Sequence, residues 1–122
     1  MSELNKAILA ASRGDARMER DGWVCREFVF REDFPGFDGH FPNYPVLPAI
    51  IQMMAGASLT ASWLGRIPEV CQVKNAKFMA PIHPNAVVHI HARAQGLETA
   101  EIRVLLGDRL AATFTLGFSL AV

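Results

Sequence analysis

Between Pro48 and Gly65 runs a segment, Ala49 to Leu64, that is apolar on almost every side of a helical wheel. Only Gln52, Ser58, Thr60 and Ser62 interrupt it. A helix without a polar face has to be buried on most of its sides. Pro48 stands where a first-turn proline is tolerated and Gly65 where a C-terminal glycine is favoured, so the spacing predicts a helix over Ala49–Leu64. The segment falls short of the roughly 20 apolar residues that cross a bilayer and is dotted with small polar groups. It reads as a core helix, and no membrane association is expected. The remainder of the chain has to wrap it.

The flanking sequence supplies the wrapping. Ser2 can cap a short helix to Ala11, with Leu4, Ala7, Ile8 and Ala11 on one stripe, and Arg13-Gly14-Asp15 is expected to end it. After Asp21-Gly22, Trp23 to Phe30 is rich in aromatic and β-branched residues and reads as a strand. Val70 to Met79 is another. From Ala86 the period is two: Ala86, Val88, Ile90, Ala92 and Ala94 are apolar, while His89, His91 and Arg93 alternate with them. Ala100, Ile102, Val104 and Leu106 repeat the pattern. Gly107-Asp108 makes a two-residue hairpin, and Leu110, Ala112, Phe114, Leu116, Phe118 and Leu120 continue it. Such alternation predicts an antiparallel sheet with one packed face and one wet face.

Within 122 residues, 51% of them hydrophobic, there is no internal repeat, linker or low-complexity stretch, so one domain over residues 1–122 is expected. Twelve basic side chains balance twelve acidic ones. That neutrality removes the electrostatic footprint of a nucleic-acid binder and favours self-association. The amino terminus lacks the basic and apolar regions of a signal peptide. Cys25 and Cys71 are too far apart for a Cys-x-x-Cys pair and read as two buried thiols in a cytoplasmic protein.

Asp33 to Pro48 is stiff and irregular, with Gly36, Gly39, Pro42, Pro45 and Pro48 in close succession. Within it, Gly39-His40-Phe41-Pro42, Pro45-Val46 and Pro48 resemble the signature of the 3-hydroxyacyl-acyl-carrier-protein dehydratases of the FabA/FabZ type. Lys77-Phe78-Met79-Ala80-Pro81-Ile82-His83-Pro84-Asn85 resembles that family's second block, and the resemblance runs from about Trp23 onward. It implies an α+β hotdog fold, an antiparallel β-sheet wrapped around one long central α-helix, in agreement with the periodicity. It also implies a hydro-lyase that eliminates water from a 3-hydroxyacyl thioester, carried on acyl-carrier protein or coenzyme A, to give a trans-2-enoyl thioester.

That chemistry needs a base for the α-proton, an acid for the departing hydroxyl, and donors for the thioester oxygen. By motif alignment His40 is the base, and the backbone amide of Ala49 stands where an oxyanion donor is expected. Phe41, Pro48, Met53 and Met54 are expected against the substrate, with Trp63 a further candidate for the acyl tunnel. The acid of the family lies fourteen residues beyond the histidine, and here that position is Met54. No Asp or Glu occurs between Asp38 and Glu69. Gln52 is the amide nearest the missing group; it can hydrogen-bond a hydroxyl but cannot act as a carboxylic acid. General acid catalysis contributes about 10²–10⁴ in rate, so the loss matters.

Three readings follow: a dehydratase in which Gln52 or water covers the acid's role, a non-catalytic acyl-binding subunit that pairs with an acid-bearing paralogue, or an acyl thioesterase. The uncovered sheet edges predict a homodimer or higher oligomer. No cofactor is expected. His89-x-His91 lacks a third metal ligand in view and reads as wet sheet face, and His83 reads as a turn residue without chemistry.

Overall fold

The computed structural model describes residues 2–37 and 45–119. Helix α1 spans Glu3–Ala11; the Ser2 hydroxyl accepts the Asn5 amide at 3.1 Å and caps it as expected. Six strands follow: β1 (Ser12–Met18), β2 (Val24–Val29), β3 (Glu69–Phe78), β4 (Val87–Ala94), β5 (Thr99–Leu106) and β6 (Arg109–Ser119). They form one antiparallel sheet in the order β1-β2-β4-β5-β6-β3. Helix α2 covers Ala49–Leu64, the bounds expected, and ends where Gly65 turns left-handed at φ 83°. The sheet curls around α2, which packs chiefly on β4, β2 and β5, with α1 against its side. This is the hotdog architecture.

Burial explains why α2 tolerates its polar residues. Ser58 Oγ donates to the Ala55 carbonyl at 2.6 Å, and Thr60 Oγ1 donates to Ala57 at 2.7 Å. Both hydroxyls are thus satisfied by their own helix while buried. Phe28, Val88, Ile90, Ala92, Ile102, Val104, Phe114 and Leu116 supply the facing wall, and each is at most 2% exposed. Gly56 packs tightly under the sheet. A Cβ there would sit 2.9 Å from Ile102 Cγ2.

Three features differ from the sequence reading. The first helix ends at Ala11 as expected, but residues 12–18 then form strand β1, which periodicity does not predict. The Asp21-Gly22 turn makes it possible: both residues have positive φ, and the Trp23 amide reaches the Arg20 carbonyl at 3.2 Å, which turns β1 back onto β2. Second, Leu110 faces outward rather than into the core. Val104 pairs with Ala112 but Leu105 pairs with Leu110, so Ala111 is an extra residue; this bulge buries Ala111 and Ala112 and turns Leu110 out. Third, both cysteines are free, but only Cys25 is buried. Cys71 is exposed because β3 is an edge strand whose residues, Val70 excepted, are all exposed within this chain. Leu120 lies outside the described residues.

The Gly56 contact yields a test. Gly56→Ala should lower the unfolding free energy by about 1–3 kcal/mol through overpacking, less up to about 1 kcal/mol of recovered helix propensity. Chemical denaturation reads the change, and Ile102→Ala in the same chain should make the two losses less than additive. A Gly56→Ala chain more stable than wild type would show that the sheet yields there.

Candidate functional site

The entrance to α2 is held from two sides. Phe30, Phe34 and Phe37 form an edge-to-face series, at 4.9 Å between the first two rings and 6.0 Å between the last two. It carries the chain from β2 to the start of the first motif block. The second block holds the other side. Leu47 N–H donates to the Ile82 carbonyl at 2.8 Å, and His83 Nδ1 lies 3.1 Å from the Pro45 carbonyl. The Met79 amide donates to the Ala111 carbonyl on β6 at 2.7 Å, and Asn85 N–H to Phe30 at 2.7 Å. The described end of the first block, residues 45–48, is therefore tied to the second block, and His83 takes part in positioning this approach to α2.

Pro48 caps α2, its carbonyl accepting the Ile51 and Gln52 amides at 3.1 and 3.3 Å. Ala49 opens the helix, where first-turn amides concentrate positive charge. A small cleft of about 260 Å³ lies over this turn, with Leu47, Ala49, Gln52, Phe78 and Met79 among its walls. Gln52 is 4% exposed. Its Nε2 donates to the Leu47 carbonyl over a long 3.4 Å, while Oε1 is buried with no hydrogen-bond partner among the described residues. A buried amide oxygen left in that state normally carries an uncompensated desolvation cost.

A second cleft, about 400 Å³, opens between α2 and the first half of β3. Ile50, Met53, Met54 and Ala57 form one wall, and Val70 and Val73 are on the other. Met53 and Met54 are both half-buried there. The predicted residues thus separate: Ala49 and Gln52 share one cleft, and Met53 and Met54 share the next. Trp63 packs against the core and does not line the Met54 cleft. His40 and Phe41 lie outside the described residues. Both clefts abut β3, the edge strand, beside exposed Ile50, Val73, Phe78 and Met79.

The outer face of the sheet holds a group that sequence reasoning did not assemble. His89 pairs with Glu27 at 3.2 Å. His91 lies across from Cys25 on β2, with Nε2 3.4 Å from Cys25 Sγ and Nδ1 3.5 Å from Glu19 Oε1. Burial lowers the His91 pKa below its usual value against the opposing pull of Glu19, and burial raises that of the Cys25 thiol. Nearby, the Arg93 and Arg103 guanidiniums stack on Trp23 at 4.5 and 4.6 Å, and Glu101 accepts from both. The signal for this group was in the sequence only as β-strand parity. Cys25 and His91 become neighbours through the β2–β4 register.

A family model described as ApeI-like, ApeI dehydratase, matches residues 16–109. The chain belongs to the ApeI-like dehydratase family. Among related proteins, the 3-hydroxyacyl-acyl-carrier-protein dehydratase FabZ of Natranaerobius thermophilus is 33% identical over 97 residues, covering 70% of this chain and 68% of the relative. The FabZ of Thermus thermophilus is 30% identical over 114 residues, covering 84% and 79%. In fold, the dehydratase heterocomplex ApeI:P from Xenorhabdus doucetiae aligns with a TM-score of 0.72 at 17% identity, over 84% of this chain and 92% of that one. Within this ApeI-like chain, no described residue of α2 is a carboxylate.

The state of Gln52 sets a measurable expectation for this ApeI-like protein. Gln52→Met, similar in size and without the unpartnered oxygen, should leave the unfolding free energy unchanged or raise it by up to about 2 kcal/mol. A loss greater than about 1 kcal/mol in denaturant titration would show that the amide is fully satisfied in solution.

Proposed function

We propose that this chain is an acyl-thioester-binding subunit of dehydratase type, catalytically incomplete alone and completed by an acid-bearing paralogue. The observation that carries this reading is α2 itself. At the acid position stands Met54, half-buried against an apolar cleft, and the buried polar side chain nearby is the amide of Gln52. His40 would remove the α-proton of a 3-hydroxyacyl thioester. The first-turn amide of Ala49 would stabilise the charge gathered on the thioester oxygen. The partner's carboxylic acid would protonate the departing hydroxyl, so that water and a trans-2-enoyl thioester leave. Gln52 Oε1, unpartnered, is suited to accept a hydrogen bond from the substrate hydroxyl or from that acid. Phe41, Pro48, Met53 and Met54 would hold the acyl portion, on acyl-carrier protein or coenzyme A.

Edge strand β3 supports the pairing. It presents an unpaired backbone row together with Val73 and Phe78, 37% and 43% exposed, and it borders both clefts. An edge of this kind invites a second strand. A copy of this chain or the acid-bearing paralogue would cover it, placing the second subunit's residues beside Gln52 and Met54. The similarity to a dehydratase heterocomplex supports the two-chain arrangement. Two free thiols fit a cytoplasmic setting, and no helix among the described residues is long and apolar enough to cross a membrane.

The decisive assay measures dehydration of 3-hydroxyacyl thioesters by the chain alone and mixed with an acid-bearing dehydratase paralogue. The chain alone should be slow, and mixing should raise the rate by about 10²–10⁴, the usual worth of a general acid. His40→Ala should remove the gain. Met54→Glu should raise the rate of the unmixed chain by a smaller factor, since desolvation keeps the new carboxyl protonated but its placement is not tuned. A wild-type chain as fast alone as an ordinary dehydratase would overturn the proposal and assign the acid's role to Gln52 or a bound water.

A separate expectation concerns the edge. Val73→Lys with Phe78→Lys should shift the sedimenting species toward monomer, because two charges would enter a newly buried surface. Unchanged association would move the interface to another face.

A further inference from the structure

We propose that Glu19, Cys25 and His91 form a binding site for a divalent transition metal of the zinc class on the outer face of the sheet. One ligand atom from each residue lies within 4.8 Å of the other two. The Cys25 Sγ to His91 Nε2 distance is 3.4 Å. Zinc bound tetrahedrally at about 2.3 Å to sulfur and about 2.0 Å to nitrogen sets those two ligands about 3.5 Å apart. That edge of the coordination polyhedron is already built, on paired positions of the adjacent strands β2 and β4, both inside the sheet. Glu19, between β1 and the Asp21-Gly22 turn, is the third member. Its Oε1 lies 3.5 Å from Nδ1, the other ring nitrogen, so its carboxylate has to turn toward the Nε2 side to close the third position.

The donor set is specific. A thiolate, an imidazole and a carboxylate together suit zinc, whereas magnesium and calcium take oxygen ligands almost alone. Thiolate and carboxylate together neutralise the ion's charge. Arg103 and Arg93 are engaged by the Trp23 ring and by Glu101, which offsets their charge, although Arg103 still borders the cleft beside His91. A cleft of about 520 Å³ opens onto Glu19, His91 and Trp23, giving an approach path and space for a fourth, exchangeable ligand. His89 faces Glu27 and takes no part. The site lies on the opposite face of the sheet from α2, and its metal is independent of the dehydration chemistry proposed above.

The test uses the full chain, stripped with chelator and titrated with cobalt(II) as the spectroscopic stand-in, then with zinc(II). Expected is one ion per chain with a thiolate-to-cobalt charge-transfer band, displaced by zinc. Cys25→Ser and His91→Gln should each abolish the band, and Glu19→Gln should weaken binding about 10–100-fold. Cys71→Ser and His89→Gln should leave band and stoichiometry unchanged, which separates the site from the other free thiol and the neighbouring imidazole. Should Cys25→Ser fail to fold, the His91→Gln titration answers alone. Absence of a one-to-one band, its survival in His91→Gln, or its loss in Cys71→Ser would overturn the proposal.

Discussion

A helix without a polar face cannot end at a protein surface, and the whole molecule is organised around meeting that demand for α2. The sheet wraps it, α1 closes its side, and the hydroxyls of Ser58 and Thr60 are turned onto its own carbonyls so that nothing polar has to be carried to solvent. The approach is close enough at Gly56 that the Ile102 side chain packs directly against the helix backbone. Gln52 is the exception, a buried amide whose oxygen has no partner among the described residues. In an apolar helix selected for burial, an unsatisfied group of this kind stands out as a place where folding alone does not account for the residue.

Burial of α2 also places the chemistry. Because the helix is clamped along its length, its first turn is fixed in space, and the two motif blocks are tied together around that turn by Leu47–Ile82 and Pro45–His83 contacts. Two clefts result, one over Gln52 and one over Met54, and both end at the exposed edge of β3. A cleft at an unfinished sheet edge is one that a second chain can complete, which is what the proposed function requires of it.

The errors of sequence reading have identifiable causes. Strand β1, Ser-Arg-Gly-Asp-Ala-Arg-Met, is polar because it is an edge strand with little to bury, so hydrophobic periodicity is silent there. The Asp21-Gly22 pair was the available signal, a hairpin turn read only as the start of β2. Alternation in β6 was read unbroken through Leu110, yet one extra residue, Ala111, reversed it. A bulge has no hydrophobic signature, because both of the residues it buries are alanines.

Local sequence by itself determined the ends of α2, the Gly107-Asp108 hairpin, the inward residues of β4 and β5, and the motif that ties this chain to its family. Each depends on spacing within about twenty residues, where side-chain period and turn chemistry act directly. Tertiary structure alone decided that Cys71 is exposed while Cys25 is buried, that Gln52 and Met54 open onto separate clefts, and that Cys25, His91 and Glu19 meet. Those outcomes depend on strand order and register between distant segments, such as the 66 positions that separate Cys25 from His91. Pairing over such distances is chosen by the packing of the whole sheet on its helix, and no local pattern records it.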